Sequence, residues 1–190
     1  MEAEYGQGRI LEIEGNLFDA PNGAALIHSC NCRGVWGKGI AKEFRGKYPN
    51  AYLFYRAHCR EYAAHPEEVV VTGEAGPRRI QLPEGTALLI PPQPGDSQFN
   101  GGRQHWIICL FTSPGFGTQV SPVNILLENT ECAVSNLKKE INQLRAQGIA
   151  MGSLWSCRFN SGLFGVDWAH SRDILVGSGL EVTVVRPPGA

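Results

Sequence analysis

Two glycine-bearing stretches, Gly34-Val35-Trp36-Gly37-Lys38-Gly39 and Asn160-Ser161-Gly162-Leu163-Phe164-Gly165, have the composition that suits an anion. Glycine lets a backbone approach a diphosphate closely and turn its N–H groups inward, and a following helix adds the positive end of its dipole. Each stretch taken alone also reads as an ordinary turn. Two of them in one domain shift the balance toward a phosphate cradle.

Three side chains beside the first stretch carry further chemistry. Asn31 ends an apolar run, where its amide can both donate to and accept from sugar hydroxyls; the competing reading is a turn or cap. His28 lies three residues earlier, either as a core histidine satisfied by its neighbours or as a general acid or base. Lys38, between two glycines, is either a solvated loop residue or a mobile charge that reaches a phosphate. The P-loop pattern, the dinucleotide fingerprint and the G-x-S-x-G elbow of serine hydrolases are all missing.

The elements that must position these residues follow from periodicity. Residues 9 to 17 alternate apolar and polar as a strand, then break at Ala20-Pro21-Asn22-Gly23. Residues 24 to 30 are a continuous apolar run, as expected of a strand covered on both faces. From Ile40 the positions Phe44, Tyr48, Ala51, Tyr52 and Tyr55 recur at helical spacing, with Pro49 dividing two helices. Residues 61 to 79 read as a surface excursion with one short strand at 69 to 72. Strands follow at 86 to 90 and 105 to 112, joined by a mobile connection at 91 to 104. A helix comes next at 129 to 147, stopped by Gly148. The chain closes with a strand at 152 to 157, the second glycine stretch, a helix at 168 to 175 and a strand at 180 to 185. Alternation of this kind predicts a three-layer α/β/α domain with a mixed central sheet, ligands gathering where strand ends pass through loops into helices.

Composition bounds the rest. The 190 residues suit one domain spanning the whole chain, and 43% hydrophobic content builds a core without staples. Seventeen basic against eighteen acidic residues leave a formal charge of −1, which as a bulk figure does not advertise an extended nucleic-acid surface. No apolar stretch has membrane-spanning length, and the start MEAEYGQGR lacks a signal core, so an intracellular protein, cytoplasmic or nuclear, is expected. Six cysteines, mostly within apolar runs and without metal-ligand spacing, read as free thiols; no metal or cofactor is expected.

Several separate motifs then carry a resemblance. Ile27-His28-Ser29-Cys30-Asn31-Cys32, Trp36-Gly37-Lys38-Gly39-Ile40-Ala41, Tyr48-Pro49-Asn50-Ala51, Leu110-Phe111-Thr112-Ser113 and Asn160-Ser161-Gly162-Leu163-Phe164-Gly165-Val166 with Trp168 are similar, in the same order, to the macro domain. Within it they most resemble the fungal-type ADP-ribose-1''-phosphate phosphatases. The resemblance runs from residue 15 to 168. It implies that Gly15, Asn16 and Leu17 border an adenosine, and that Ser29, Cys30 and Asn31 approach the distal ribose. It further implies that Trp36, Gly37, Lys38, Gly39, Ile40 and Ala41 wrap the ribose and phosphates, while the stretch from Asn160 to Val166 closes over the diphosphate.

The implied activity is metal-independent hydrolysis of ADP-ribose-1''-phosphate, with Asn31 orienting the sugar and His28 assisting proton transfer. Removal of ADP-ribose from proteins, deacetylation of O-acetyl-ADP-ribose, and non-catalytic reading of ADP-ribose are the alternatives. The partner is then a small ADP-ribose derivative or an ADP-ribosylated protein. Asn16 stands where many macro domains have aspartate, Lys38 where many have glycine, and Asp167 where similar phosphatases often have proline. Asp167 reads best as a helix N-cap. Phe164 occupies a position where some macro hydrolases carry aspartate, which favours the phosphatase.

Overall fold

The computed structural model describes residues 8–190, so most of the N-terminal stretch read above for a signal core lies outside the described residues. Six strands form one sheet: β1 (Ile10–Glu14), β2 (Ala25–Asn31), β5 (Ala87–Ile90), β6 (Trp106–Ser113), β7 (Leu154–Ser156) and β8 (Val182–Arg186). Their spatial order is β1-β8-β7-β2-β6-β5, parallel throughout except that β5 runs antiparallel to β6. The sheet is mixed, as expected. All eight residues of β6 are buried, and six of the seven in β2, which is why both read as unbroken apolar runs.

Helices α1 (Gly39–Lys47), α2 (Pro49–Ala64), α3 (Val123–Ala146) and α4 (Trp168–Ser178) cover the sheet. Two adjacent residues of β6 show that they do so on both faces. Phe111 stacks on Tyr55 of α2 at 6.0 Å, whereas the Thr112 hydroxyl donates to Asn160, whose amide reaches Thr130 on α3. Successive strand residues point to opposite faces, so α2 and α3 lie in different layers. α1 packs with α2 and α4 with α3, which completes the expected three-layer α/β/α arrangement.

Three readings of the sequence need correction. Residues 61 to 79 hold the end of α2 and most of a hairpin, β3 (Glu68–Gly73) paired antiparallel with β4 (Gly76–Gln81). β4 escapes a propensity reading because Gly76, Pro77 and two arginines look like loop, while its pairing to Val69, Val70 and Val71 decides the outcome. α3 begins six residues earlier than its apolar stripe suggested, immediately after Pro122, whose fixed φ suits a helix start.

The connection at 91 to 104 is pinned. Asp96, 4% exposed, accepts from the Asn50 and Ala51 N–H groups at the start of α2, and Asn50 Nδ2 donates to Pro94 O. Asn100 Nδ2 lies 2.9 Å from Tyr48 Oη and 3.0 Å from His105 Nδ1, and His105 Nε2 donates to Ala20 O at 2.9 Å. Burial holds the His105 ring below its ordinary pKa, the state that keeps Nδ1 free to accept. Because β5 is antiparallel, this segment lies at the N-terminal ends of the parallel strands, opposite the loops discussed next.

Candidate functional site

Both glycine stretches leave the C-terminal ends of neighbouring parallel strands, β2 and β7. They approach each other: a Cβ placed on Gly39 would lie 3.6 Å from Leu163 Cδ1, so the tip of the second loop stands about one methyl group away from the start of α1. Gly39 has φ +58°, which a side chain tolerates poorly, and it opens α1 with no side-chain cap from Lys38. Neither the N–H groups of Gly37 and Lys38 in the first loop nor those of Gly162, Leu163 and Phe164 in the second find a protein acceptor among the described residues. Free N–H groups from two loops, beside a helix N-terminus, are an arrangement that can receive an anion.

Each loop is held by one asparagine. Asn31 sits at the bulge where β2 stops pairing regularly with β6. Its Oδ1 accepts from Arg33 N at 2.9 Å, Val35 N at 3.4 Å and Tyr55 Oη at 3.1 Å, and its Nδ2 donates to Val35 O at 2.7 Å. The same tyrosine hydroxyl also bonds Asn31 O at 2.7 Å. Turn-making, one of the two readings open at this position, is therefore realised. One amide hydrogen of Nδ2 remains without a protein partner.

Asn160 is the counterpart in the second loop. It is 2% exposed and is the one non-glycine residue with positive φ, +65°, among those described. Thr112 Oγ1 donates to its Oδ1 at 2.8 Å, while its Nδ2 donates to Thr130 Oγ1 at 2.9 Å and Ser171 Oγ at 3.2 Å. Its backbone N–H donates to Ser29 Oγ and its carbonyl accepts from Val166 N. Four elements, β2, β6, α3 and α4, converge on a single residue.

The second loop is also tied at both ends to Glu12 of β1, which accepts from Trp168 Nε1 at 2.7 Å and Arg158 Nη2 at 2.9 Å, with Arg172 Nε at 3.3 Å. The Trp168 hydrogen bond first, then the arginines, hold the Glu12 carboxyl below its ordinary value of 4.5, against the opposing effect of burial. A carboxylate whose folded pKa is depressed contributes stability that is present above the unfolded value and lost as pH falls through the folded one. Urea unfolding should show wild-type stability dropping below about pH 4.5, with Glu12→Gln less stable at neutral pH and flatter across that acid range. Parallel acid limbs for the two proteins would remove Glu12 from this role.

The residues expected at the site separate into two sets. Gly15, Asn16, Gly37, Lys38, Gly39, Ser161, Gly162, Leu163 and Gly165 are exposed, and Ile40, Ala41 and Phe164 half-buried. Leu17, Ser29, Cys30, Trp36 and Val166 are the supporting layer. Leu17, Cys30, Trp36 and Val166 are buried, and the hydroxyl oxygen of the half-buried Ser29 accepts from the Asn160 N–H. Asn16 Oδ1 caps Phe18 N at 3.0 Å, which occupies part of the carbonyl expected to face an adenine. Asp167 accepts from Ala169 N at 2.9 Å, the N-cap anticipated.

His28 departs most from expectation. It is 0% exposed, stacked on Phe44 at 4.0 Å and edge-on to Trp36 at 4.9 Å, with Cys30 Sγ 3.4 Å from Nε2. Its side chain lies in the layer between the sheet and α1, packed against Trp36 of the first loop and closed off from solvent, so direct proton transfer to a ligand does not fit this placement. Cys30 is likewise a thiol whose burial pushes its pKa well up. Sequence reasoning missed the roles of Tyr55, Glu12, Arg158, Thr130 and Ser171; Tyr55, Glu12 and Thr130 lie far along the chain from the loop each supports, and Arg158 and Ser171, though close to the second loop, have no local pattern that shows what they bond.

A hollow of about 650 Å³ lies elsewhere, along the antiparallel edge strand β5, lined by His58, Leu88, Trp106 and Glu140 among others. None of the unpaired loop N–H groups opens onto it.

No family model matches the chain. Among curated proteins it is 54% identical to the ADP-ribose 1''-phosphate phosphatase of Neosartorya fischeri, covering 100% of both chains. It is 55% identical to the Aspergillus clavatus protein of the same name, covering 95% of each. Among solved structures it resembles the macrodomain of Mycobacterium tuberculosis DarG, with a TM-score of 0.66 at 20% identity over 95% of this chain and 99% of that one. Thermosipho africanus DarTG, solved in complex with ADP-ribose, aligns with a TM-score of 0.66 at 17% identity over 96% of this chain and 42% of the other.

Proposed function

The chain belongs to the family of ADP-ribose 1''-phosphate phosphatases, and from that premise we propose that the paired loops bind ADP-ribose 1''-phosphate and hydrolyse it to ADP-ribose and phosphate. The observation that carries the reading is the approach of Leu163 to Gly39 at the ends of the adjacent strands β2 and β7, which places two sets of unpaired N–H groups near each other. The diphosphate lies between the loops, its charge met by backbone N–H groups and the N-terminus of α1. The adenosine extends toward Gly15 and Asn16, and the distal ribose toward Asn31, whose remaining amide hydrogen donates to a sugar oxygen.

In the reaction water attacks phosphorus, the bond from phosphorus to the ribose 1''-oxygen breaks, and the leaving oxygen takes up a proton. No metal takes part in this scheme. The protein's share is positioning and electrostatic: N–H groups fixed in advance stabilise charge that builds on the phosphoryl oxygens. Lys38, exposed at the mouth of the first loop, adds a point charge there. The buried His28 has no step in this scheme. The six free cysteines support an intracellular setting, and no helix among the described residues is long and apolar enough to cross a membrane.

Purified protein should release inorganic phosphate from ADP-ribose 1''-phosphate with multiple turnovers, and Lys38→Ala should lower kcat/KM by roughly tenfold, the effect of about 1.4 kcal/mol of lost charge stabilisation. Binding of ADP-ribose without phosphate release would make the chain a reader and end the phosphatase reading. Failure to bind ADP-ribose would end both.

A further inference from the structure

The near-neutral total hides a strong asymmetry. Residues 32 to 64, which comprise the first loop, α1 and α2, carry seven cationic side chains and only two carboxylates, Glu43 and Glu61. The rest of the chain carries ten cationic and sixteen acidic residues. Arg33, Lys38, Lys42, Arg45, Lys47, Arg56 and Arg60 have no carboxylate within ion-pair distance among the described residues, whereas Arg78, Arg79, Arg103, Arg158, Arg172 and Arg186 are all paired. Glu61 is engaged by His65 at 3.0 Å.

These charges are not cancelled by their neighbours. The Arg45 guanidinium lies over Tyr52 at 4.7 Å and the Lys47 ammonium over Phe18 at 5.3 Å, contacts with neutral rings that bring no opposite charge. Arg56 abuts the first loop, where a Cβ on Gly34 would lie 3.4 Å from its Cα. The band begins at the crevice and runs down α1, whose rise of about 1.5 Å per residue puts Lys42 about 4.5 Å and Lys47 about 12 Å beyond Gly39. Those distances are comparable with the Debye length of about 8–10 Å at ordinary salt.

We infer that this face is an electropositive approach surface that collects anionic nucleotides and steers them into the loop crevice. The inference rests on the reading of the crevice given above and adds to it residues that need not touch the ligand. A diphosphate with a further phosphomonoester carries several negative charges, so each cation acts on the whole ligand and the effects multiply. Lys42 and Arg60 are both exposed and stand outside the proposed contacts, which makes them the places to test it.

Affinity for ADP-ribose, measured by calorimetry on the full chain between about 20 mM and 500 mM NaCl, should fall steeply with salt. Lys42→Gln with Arg60→Gln should weaken binding about fivefold at the low end and converge on wild type at the high end. Lys139→Gln with Arg145→Gln, two exposed cations of α3 on the opposite face, makes the same change in net charge and should shift Kd less than twofold. Equal losses in the two double variants, or a salt dependence unchanged by the first, would overturn the inference and leave ADP-ribose binding intact. No binding at any salt would instead remove the reading of the crevice, and this inference with it.

Discussion

Asn160→Ala is expected to lose about 3–5 kcal/mol of folding stability and more than tenfold in kcat/KM. Three side-chain hydrogen bonds disappear at a residue 2% exposed, at roughly 1 kcal/mol each. An alanine forced to keep φ at +65° adds about 1–2 kcal/mol, because its Cβ crowds the following carbonyl where asparagine is tolerated. Against a total of about 5–15 kcal/mol for a domain of this kind, that loss is large. Asn160→Gly separates the two causes, since glycine accepts the left-handed backbone but leaves Thr112, Thr130 and Ser171 unanswered. It should fall between wild type and alanine in urea unfolding, yet lose as much activity as alanine, because the N–H groups of residues 162 to 164 depend on the anchor rather than on φ. A glycine variant with wild-type turnover would show that Asn160 stabilises the fold without setting the loop.

The contrast between Asn31 and Asn160 shows where sequence reasoning reaches and where it stops. Both belong to motifs legible as strand, glycine turn and helix, because each signal sits within a dozen residues: an apolar run, a glycine cluster, an amphipathic stretch. What each side chain does was open, because its partners come from elsewhere in the chain. Tyr55 is 24 residues from Asn31, and Thr112 is 48 from Asn160. For the same reason β4 was lost, being a strand only through its pairing with β3. His28 shows the same limit. A histidine between Ile27 and Ser29, near an expected ribose, suggests an acid or base, but strand alternation sends its ring to the same face as Leu26 and Cys30, under Phe44 and Trp36. Position along the strand was readable; the side of the sheet on which the ligand lies was not.

Those long-range anchors bear on how the crevice works. The unpaired N–H groups of the two loops are useful only if their directions are set before the ligand arrives, since ordering a loop on binding subtracts from affinity and from charge stabilisation in the transition state. Glu12 fixes both ends of the second loop and Asn160 the opening of its glycine stretch, while Tyr55 and Asn31 fix the first. Polar groups that might have touched substrate are spent on rigidity. The proposed catalytic surface is then mainly backbone, which accounts for how few of the residues in the two loops carry titratable side chains.

Asn31 tests whether one residue serves both ends. Asn31→Ala removes the donor to Val35 O and the acceptor for Arg33 N, Val35 N and Tyr55 Oη, so the first loop loses its shape together with the proposed sugar contact. A fall in kcat/KM of at least a hundredfold, about 2.7 kcal/mol, is expected. Tyr55→Phe takes away the support and spares the amide: the bonds at 2.7 and 3.1 Å vanish, stability drops by about 1 kcal/mol, and turnover falls by less than tenfold. Asn31→Asp retains an acceptor for the turn but loses the amide hydrogens and sets a negative charge beside phosphates. If Asn31 only shapes the loop, aspartate should be the milder change; if it also meets the distal ribose and its phosphate, aspartate should be at least as damaging as alanine, with the loss concentrated in KM and relieved by salt. Steady-state kinetics of the three variants at low and high ionic strength decide between these, and the unpaired Nδ2 hydrogen predicts the second outcome.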